Sequence, residues 1–327
     1  MSFRSAAVLA LAAALALAGC AKKPAAEGQV LKFSIVPAED QATMGRVWQP
    51  LLDDLDKQTG LKVEASYASN YMGMIEAMRF NQVQVGWFSA LPALEAVNRS
   101  NAEVLGRIMG KGGESGVYES VLITHKGSGI TLDGLLKCDK RYDFGLGDPN
   151  STSGTLAPMA YIFAPRGIDP TQCFKTVRSA SHQANLVGVA YKTLDVATNN
   201  TVGIVFAQRN NPKVADQIEV IWKSPPLPES SILVRKDLDP KIKDKLRTFF
   251  ENYGKATGAE GEHERKVLDG LTYGGFKTVD DSYLDPIRLM VASRDLSEAK
   301  HEGDQAKIAA ARKAFDAINA KPTAHAS

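Results

Sequence analysis

The 327-residue chain has little of what marks several large protein classes. It has no cationic surplus: 39 Lys and Arg stand against 37 Asp and Glu, and a balance of +2 excludes the basic field that nucleic-acid binding needs. It has a single long apolar run, which excludes a protein that crosses a membrane many times. Three cysteines exclude a disulfide-built miniature, and none has a His or Cys neighbour at zinc-motif spacing. No internal repeat is present. At 44% hydrophobic residues with balanced charge, dominant disorder is excluded as well. What remains is an ordinary globular composition, long enough for two domains with buried cores.

The one apolar run is N-terminal. Arg4 supplies a short positive region, and residues 6–18 are an unbroken Ala/Leu/Val stretch, shorter than the roughly 20 residues of a spanning helix. It ends Leu17-Ala18-Gly19-Cys20, which resembles the bacterial lipoprotein signal; that resemblance implies removal of residues 1–19 and lipidation at Cys20. A plain secretory signal with an incidental Cys is the alternative. Residues 20–29 then read as a flexible tether, giving a lipid-anchored but otherwise soluble protein outside the cytoplasm. In an oxidising compartment the two remaining cysteines, Cys138 and Cys173, form a disulfide, which would restrict the unfolded chain by roughly 3–4 kcal/mol. Independent thiols or soft-metal ligands are the rival reading.

Apolar periodicity gives strands alternating with helices. Short β-runs at 31–36, 61–67 and 83–88 are separated by helical patterns at 41–58, 71–80 and 90–97. A longer strand at 118–124 is a crossing point into a second set: strands 142–146, 175–178, 195–197 and 218–222, with helices near 155–163 and 183–192. Residues 230–234 cross back, followed by helices at 240–253 and 283–292 and a charged, Ala-rich helix over 293–320. This is an α/β fold of two lobes joined by two crossing strands, with ligand in the cleft between them. Lobe 1 is discontinuous, 30–122 and 231–292; lobe 2 is 123–230; a C-terminal helix and tail occupy 293–327.

The segment richest in chemistry is Phe144-Gly145-Leu146-Gly147-Asp148-Pro149-Asn150-Ser151-Thr152-Ser153-Gly154. A strand runs into a turn carrying three consecutive hydroxyls before a helical pattern. Helix-start N–H groups are unpaired, the helix dipole adds positive charge, and three hydroxyls add donors, so the turn suits a tetrahedral oxyanion without Arg or Lys. An ordinary Ser/Thr N-cap is the plainer reading. Pro158 is unwelcome inside a helix, so regular helix is expected to begin later than Ser153. The known phosphate-loop patterns do not occur at this turn. Catalysis by Ser151 or Ser153 with His182 is disfavoured, since no nucleophile elbow or third acidic member is marked, and the chain reads as no enzyme. No cofactor or metal is expected.

Asp148-Pro149-Asn150-Ser151-Thr152-Ser153-Gly154 resembles the phosphonate-binding component (PhnD type) of bacterial ABC importers. So do Ile75-Glu76-Ala77-Met78-Arg79-Phe80, Asp195-Val196-Ala197-Thr198-Asn199-Asn200 and Val220-Ile221-Trp222-Lys223-Ser224-Pro225. The likeness runs from about residue 31 to 287. It implies a two-lobed type II periplasmic binding protein that delivers a small phosphorus oxyanion to permease subunits. By the same resemblance the phosphonyl group is held by Ser151, Thr152 and Ser153, by Tyr71 and Tyr118, and by His182. Members that bind aminoethylphosphonate carry two acidic residues for the ammonium. Here those places fall on Val202 and near Ser230, with Glu229 one position off. An ammonium buried without a carboxylate is strongly disfavoured. The implied ligand is therefore phosphite or an amine-free alkylphosphonate such as methylphosphonate, with Val202 and Ser230 as candidate tail contacts. An alternative with the same cleft is an oxyanion-sensing subunit that signals through a membrane histidine kinase.

Overall fold

A computed structural model describes residues 30–114 and 116–320. The expected export signal, the lipidation position Cys20 and the tether lie outside the described residues, as does the tail after 320.

The first sheet is built from βαβ units. β1 (Leu31–Ile35) leads into α1 (Gln41–Thr59), β2 (Val63–Tyr67), α2 (Tyr71–Arg79), β3 (Val85–Phe88), α3 (Ala90–Arg99) and β4 (Ala102–Met109). α1 forms because Asp40 caps it, accepting from Thr43 N at 2.9 Å, and because Met44, Trp48, Leu51, Leu52 and Leu55 make one buried stripe; Gly60, at φ 67°, ends it. β5 (Val117–Tyr118) then carries the chain out, and β6 (Ser120–His125), β7 (Asp143–Leu146), β8 (Thr176–Ser179), α4 (His182–Ala190), β9 (Val196–Asn200), α5 (Thr201–Asn210) and β10 (Ile218–Lys223) make the second lobe. β11 (Leu227–Pro228) and β12 (Ser231–Arg235) return it. α6 (Pro240–Asn252), α7 (Gly258–Leu271), β13 (Gly275–Thr278), α8 (Asp285–Glu302) and α9 (Gln305–Asn319) complete the chain.

The six-stranded sheet has the order β13-β4-β12-β3-β1-β2, and the five-stranded one β10-β6-β9-β7-β8. Between them β5 and β11 pair antiparallel as a two-stranded ribbon, Leu227 opposite Tyr118. The βαβ strands pair in parallel, β1 with β2 and β3 in the first sheet and β7 with β8 and β9 in the second. The crossing strands insert the other way: β12 is antiparallel to β3 and β4, and β6 to β9 and β10. Ser120 already pairs with Asn200, so the second sheet begins slightly before the expected boundary at residue 122. Along β6, Val121 and Ile123 enter one core with Leu186 and Val189, while Leu122 enters the other with Phe144, Phe163 and Phe174. Cys138 and Cys173 are joined as a disulfide beside this aromatic cluster.

One expectation is corrected. The helix expected from residue 293 is not a unit of its own: α8 runs through that point to Glu302. Gly303, at φ 74°, ends it, and Asp304 caps α9 by accepting from Ala306 N and Lys307 N.

Candidate functional site

The turn after β7 is built around two glycines. Gly147 N donates to Gly154 O at 3.0 Å, and a Cβ on Gly147 would stand 2.5 Å from the Gly154 Cα, so the two arms of the turn could not approach with a side chain there. Ser151 caps the helical segment beyond it, its Oγ accepting from Gly154 N at 3.0 Å. Residues Thr152–Leu156 and Met159–Phe163 take wide π-helical turns, separated at Pro158, instead of the regular helix expected there. Such turns tolerate the missing proline N–H and recur at functional sites.

The turn faces His182, the first residue of α4. Its Nε2 stands 3.3 Å from Ser151 Oγ and 3.4 Å from Ser153 Oγ, and its carbonyl oxygen accepts from Asn199 Nδ2 at 2.8 Å. From the first lobe, the Tyr71 hydroxyl at the start of α2 faces Ser151; from the ribbon, the Tyr118 hydroxyl faces Ser153 and Thr152. Tyr71, Tyr118, Ser151, Ser153 and His182 thus line one cavity of about 50 Å³, with Val202 and Ser230 also in its wall. On this measure a water-sized group needs about 10–15 Å³, so the space admits a handful of heavy atoms.

Thr152 is placed otherwise. Fully buried, it does not line the cavity, and its Oγ1 accepts the N–H of Leu91, at the start of α3, at 2.8 Å across the cleft. Other bonds close the lobes on each other. Asp40 N donates to Gln183 Oε1 and Gln183 Nε2 to Asp40 Oδ2, both at 3.0 Å, and Arg209 Nη1 reaches Asp269 O at 3.0 Å.

Electrostatically the cavity is a set of neutral donors, and among the described residues no Lys or Arg lines it. Burial pushes the Tyr71 and Tyr118 hydroxyls well above the usual phenol range, so both keep their protons. Burial also lowers His182 to about 4, leaving a neutral ring; a dianion beside Nε2 would draw a proton onto it.

Sequence reasoning missed several wall residues. Asn200 donates to Ser153 Oγ at 3.3 Å while its Oδ1 caps α5 by accepting from Gly203 N. Glu39, in the loop after β1, lines the cavity, and burial followed by the neighbouring Asp40 charge raises it to about 8. Glu229, which the sequence placed one position off an acidic place of the amine-binding members, is buried in the wall beside Ser230, and burial raises it too. Trp48, Trp87, Ser89 and Tyr273 complete the first-lobe side.

Residues 33–284 match the family described as ABC transporter, phosphonate, periplasmic substrate-binding protein. The phosphonates-binding periplasmic protein of Escherichia coli (strain K12) is 40% identical over 273 residues, 83% of this chain and 79% of that protein. A binding protein component of an ABC phosphonate transporter from Pseudomonas aeruginosa has a TM-score of 0.84 at 36% identity, over 89% of this chain and 96% of the other. At 22% identity, PhnD1 of Prochlorococcus marinus (MIT 9301), solved in complex with methylphosphonate, shares the fold with a TM-score of 0.70 over 82% and 98% of the two chains. These are receptors of transport systems, not enzymes. With the match running through both lobes and the turn between β7 and the π-helical segment, the chain belongs to the periplasmic substrate-binding proteins of phosphonate ABC transporters.

Proposed function

We propose that this chain captures phosphite or a small amine-free alkylphosphonate in the inter-lobe cleft and delivers it to the permease subunits of an ABC importer, held at the membrane by a lipid on Cys20. The observation that supports it most is the convergence of five donor side chains, Tyr71, Tyr118, Ser151, Ser153 and His182, on one small cavity without a cation. Hydrogen bonds from neutral donors to a charged acceptor contribute roughly 1.5–3 kcal/mol each, and buried donors strengthen one another's hold on an oxyanion. Their tetrahedral target is a phosphonyl head.

The tail reading rests on Val202, an apolar wall residue at one of the two places where amine-binding members carry an acid. Glu229, one position from the other place, and Glu39 line the cavity; with no ligand present burial raises both, so the site is not built around a standing counter-charge for an ammonium. Calorimetric titration with phosphite, methylphosphonate, aminoethylphosphonate, phosphate and arsenate tests this. Tight binding of phosphite or methylphosphonate with weak aminoethylphosphonate binding is the expected result. A preference for aminoethylphosphonate would show that Glu39 or Glu229 ionises to hold an amine, and silence across the panel would overturn the head-group assignment.

A further inference from the structure

Three buried donors on first-lobe residues of the cavity wall have nothing among the described residues to bond, and His182 Nδ1 on the opposite side is likewise without a partner. Trp48 and Trp87 are buried, and their indole Nε1 atoms, shielded from solvent, have no partner. The Ser89 hydroxyl, where β3 turns into α3, is likewise shielded and unbonded, and it makes no cap bond to its helix. All three residues belong to the first lobe and line the cavity whose other wall carries Ser151 and Ser153. Unmet buried donors are rare because each is destabilising. Three in one wall mark a place where the ligand supplies an acceptor.

An indole N–H can only donate, so an ammonium cannot be its partner. Glu229 stands in the same wall. Its Oε1 accepts from Ser230 N at 2.8 Å and from Ser230 Oγ at 3.0 Å, while its Oε2 has no hydrogen bond among the described residues. An alkyl tail would leave all of these groups unmet. A carboxylate tail would satisfy the indoles but add a further negative charge to that of the phosphonyl head, in a cavity lined by no Lys or Arg among the described residues. A hydroxyl satisfies both kinds of group: it accepts from an indole N–H and exchanges a hydrogen bond with Glu229 Oε2 in either protonation state of the carboxyl.

We propose that Trp48, Trp87, Ser89 and Glu229 form a subsite for a hydroxyl on the ligand tail, and that the substrate class is the small hydroxyalkylphosphonates. This rests on the head-group reading above and narrows the amine-free tail given there from a plain alkyl group to a hydroxyalkyl one. The small cavity, about 50 Å³, keeps that tail short.

The test is titration of the full chain with ethylphosphonate, 2-hydroxyethylphosphonate, 2-aminoethylphosphonate and phosphonoacetate. The hydroxyethyl compound is expected to bind tightest, exceeding ethylphosphonate by about tenfold, the equivalent of one net hydrogen bond. Trp87→Phe, which keeps a ring and removes the N–H, and Ser89→Ala should each bring that ratio toward one, with ligand-free melting as the check on folding. If Trp87→Phe fails to fold, Ser89→Ala decides. Equal affinity for the ethyl and hydroxyethyl compounds, tighter binding of the amine or carboxylate, or an unchanged ratio in the folded variants would overturn the tail subsite and leave the head-group reading standing. Failure to bind any phosphonate would overturn the head-group reading itself.

Discussion

Thr152→Val separates the parts of the serine-threonine-serine turn. In the structure Thr152 Oγ1 accepts the Leu91 N–H at 2.8 Å across the cleft, with the side chain wholly buried. Valine fills nearly the same volume but offers no acceptor, so the closed state would bury the Leu91 N–H unmet. Such a group costs about 1–3 kcal/mol. In an opened cleft water serves it, so the cost falls on closure and not on folding. Because ligand contacts come from both lobes, affinity should drop by about 5- to 150-fold, while ligand-free melting changes little. Thr152→Ser keeps the oxygen and should stay within about threefold of the parent. Calorimetric titration with methylphosphonate measures both. Unaltered affinity in Thr152→Val would refute the latch and return Thr152 to a role the cavity does not give it.

Replacing Ser151 and Thr152 together by alanine should remove most oxyanion affinity, by losing a head-group donor and the latch, and should leave the circular-dichroism spectrum native; undiminished binding would sink the site. Gly147→Ala places a Cβ 2.5 Å from the Gly154 Cα and should deform the turn, so affinity falls even where the protein still folds; parent-like binding would show that the two glycines need not touch. Burial, then the Asp40 charge, raises Glu39 from the ordinary 4.5 to about 8; if opening the cleft returns its carboxyl to water, its contribution to closing is complete below 4.5 and is lost as pH rises through 8. Binding in that window should therefore take up protons, read from titration heats in two buffers of different ionisation enthalpy, and Glu39→Gln should reduce the uptake; identical uptake in parent and variant would contradict it. Replacing Cys138 and Cys173 by serine should lower urea stability by about 2–5 kcal/mol; a change near zero would mean the bridge adds no constraint.

The alternation of strands and helices was legible because most elements carry their own punctuation. Asp40 and Gly60 bracket α1, and Ser181 opens α4 by accepting from Ala184 N. Elements without such marks did not stand out. β4 lies close behind α3 and has Gly106 and Arg107 within it, so its alternation is broken. α7 is polar for two turns and shows apolar residues only near its end, at Val267, Leu268 and Leu271. The Gly303-Asp304 stop and start was present in the sequence but hidden in an Ala-rich, charged stretch with little periodicity. At the site, the hydroxyl turn itself pointed to Ser151 and Ser153, and resemblance named Tyr71, Tyr118 and His182; the fold gathers the five from four separate elements. Trp48 was legible only as part of an apolar stripe. That its N–H lacks a partner depends on packing against Trp87 and Tyr273, which no sequence window contains.

The most direct test of the central claim is a crystal structure of the full chain with methylphosphonate. The phosphorus is expected in the cavity, its oxygens within hydrogen-bond distance of Ser151, Ser153, His182, Tyr71 and Tyr118, with Thr152 still bonded to Leu91. A phosphorus atom lodged elsewhere, or an oxyanion held by a Lys or Arg, would contradict it.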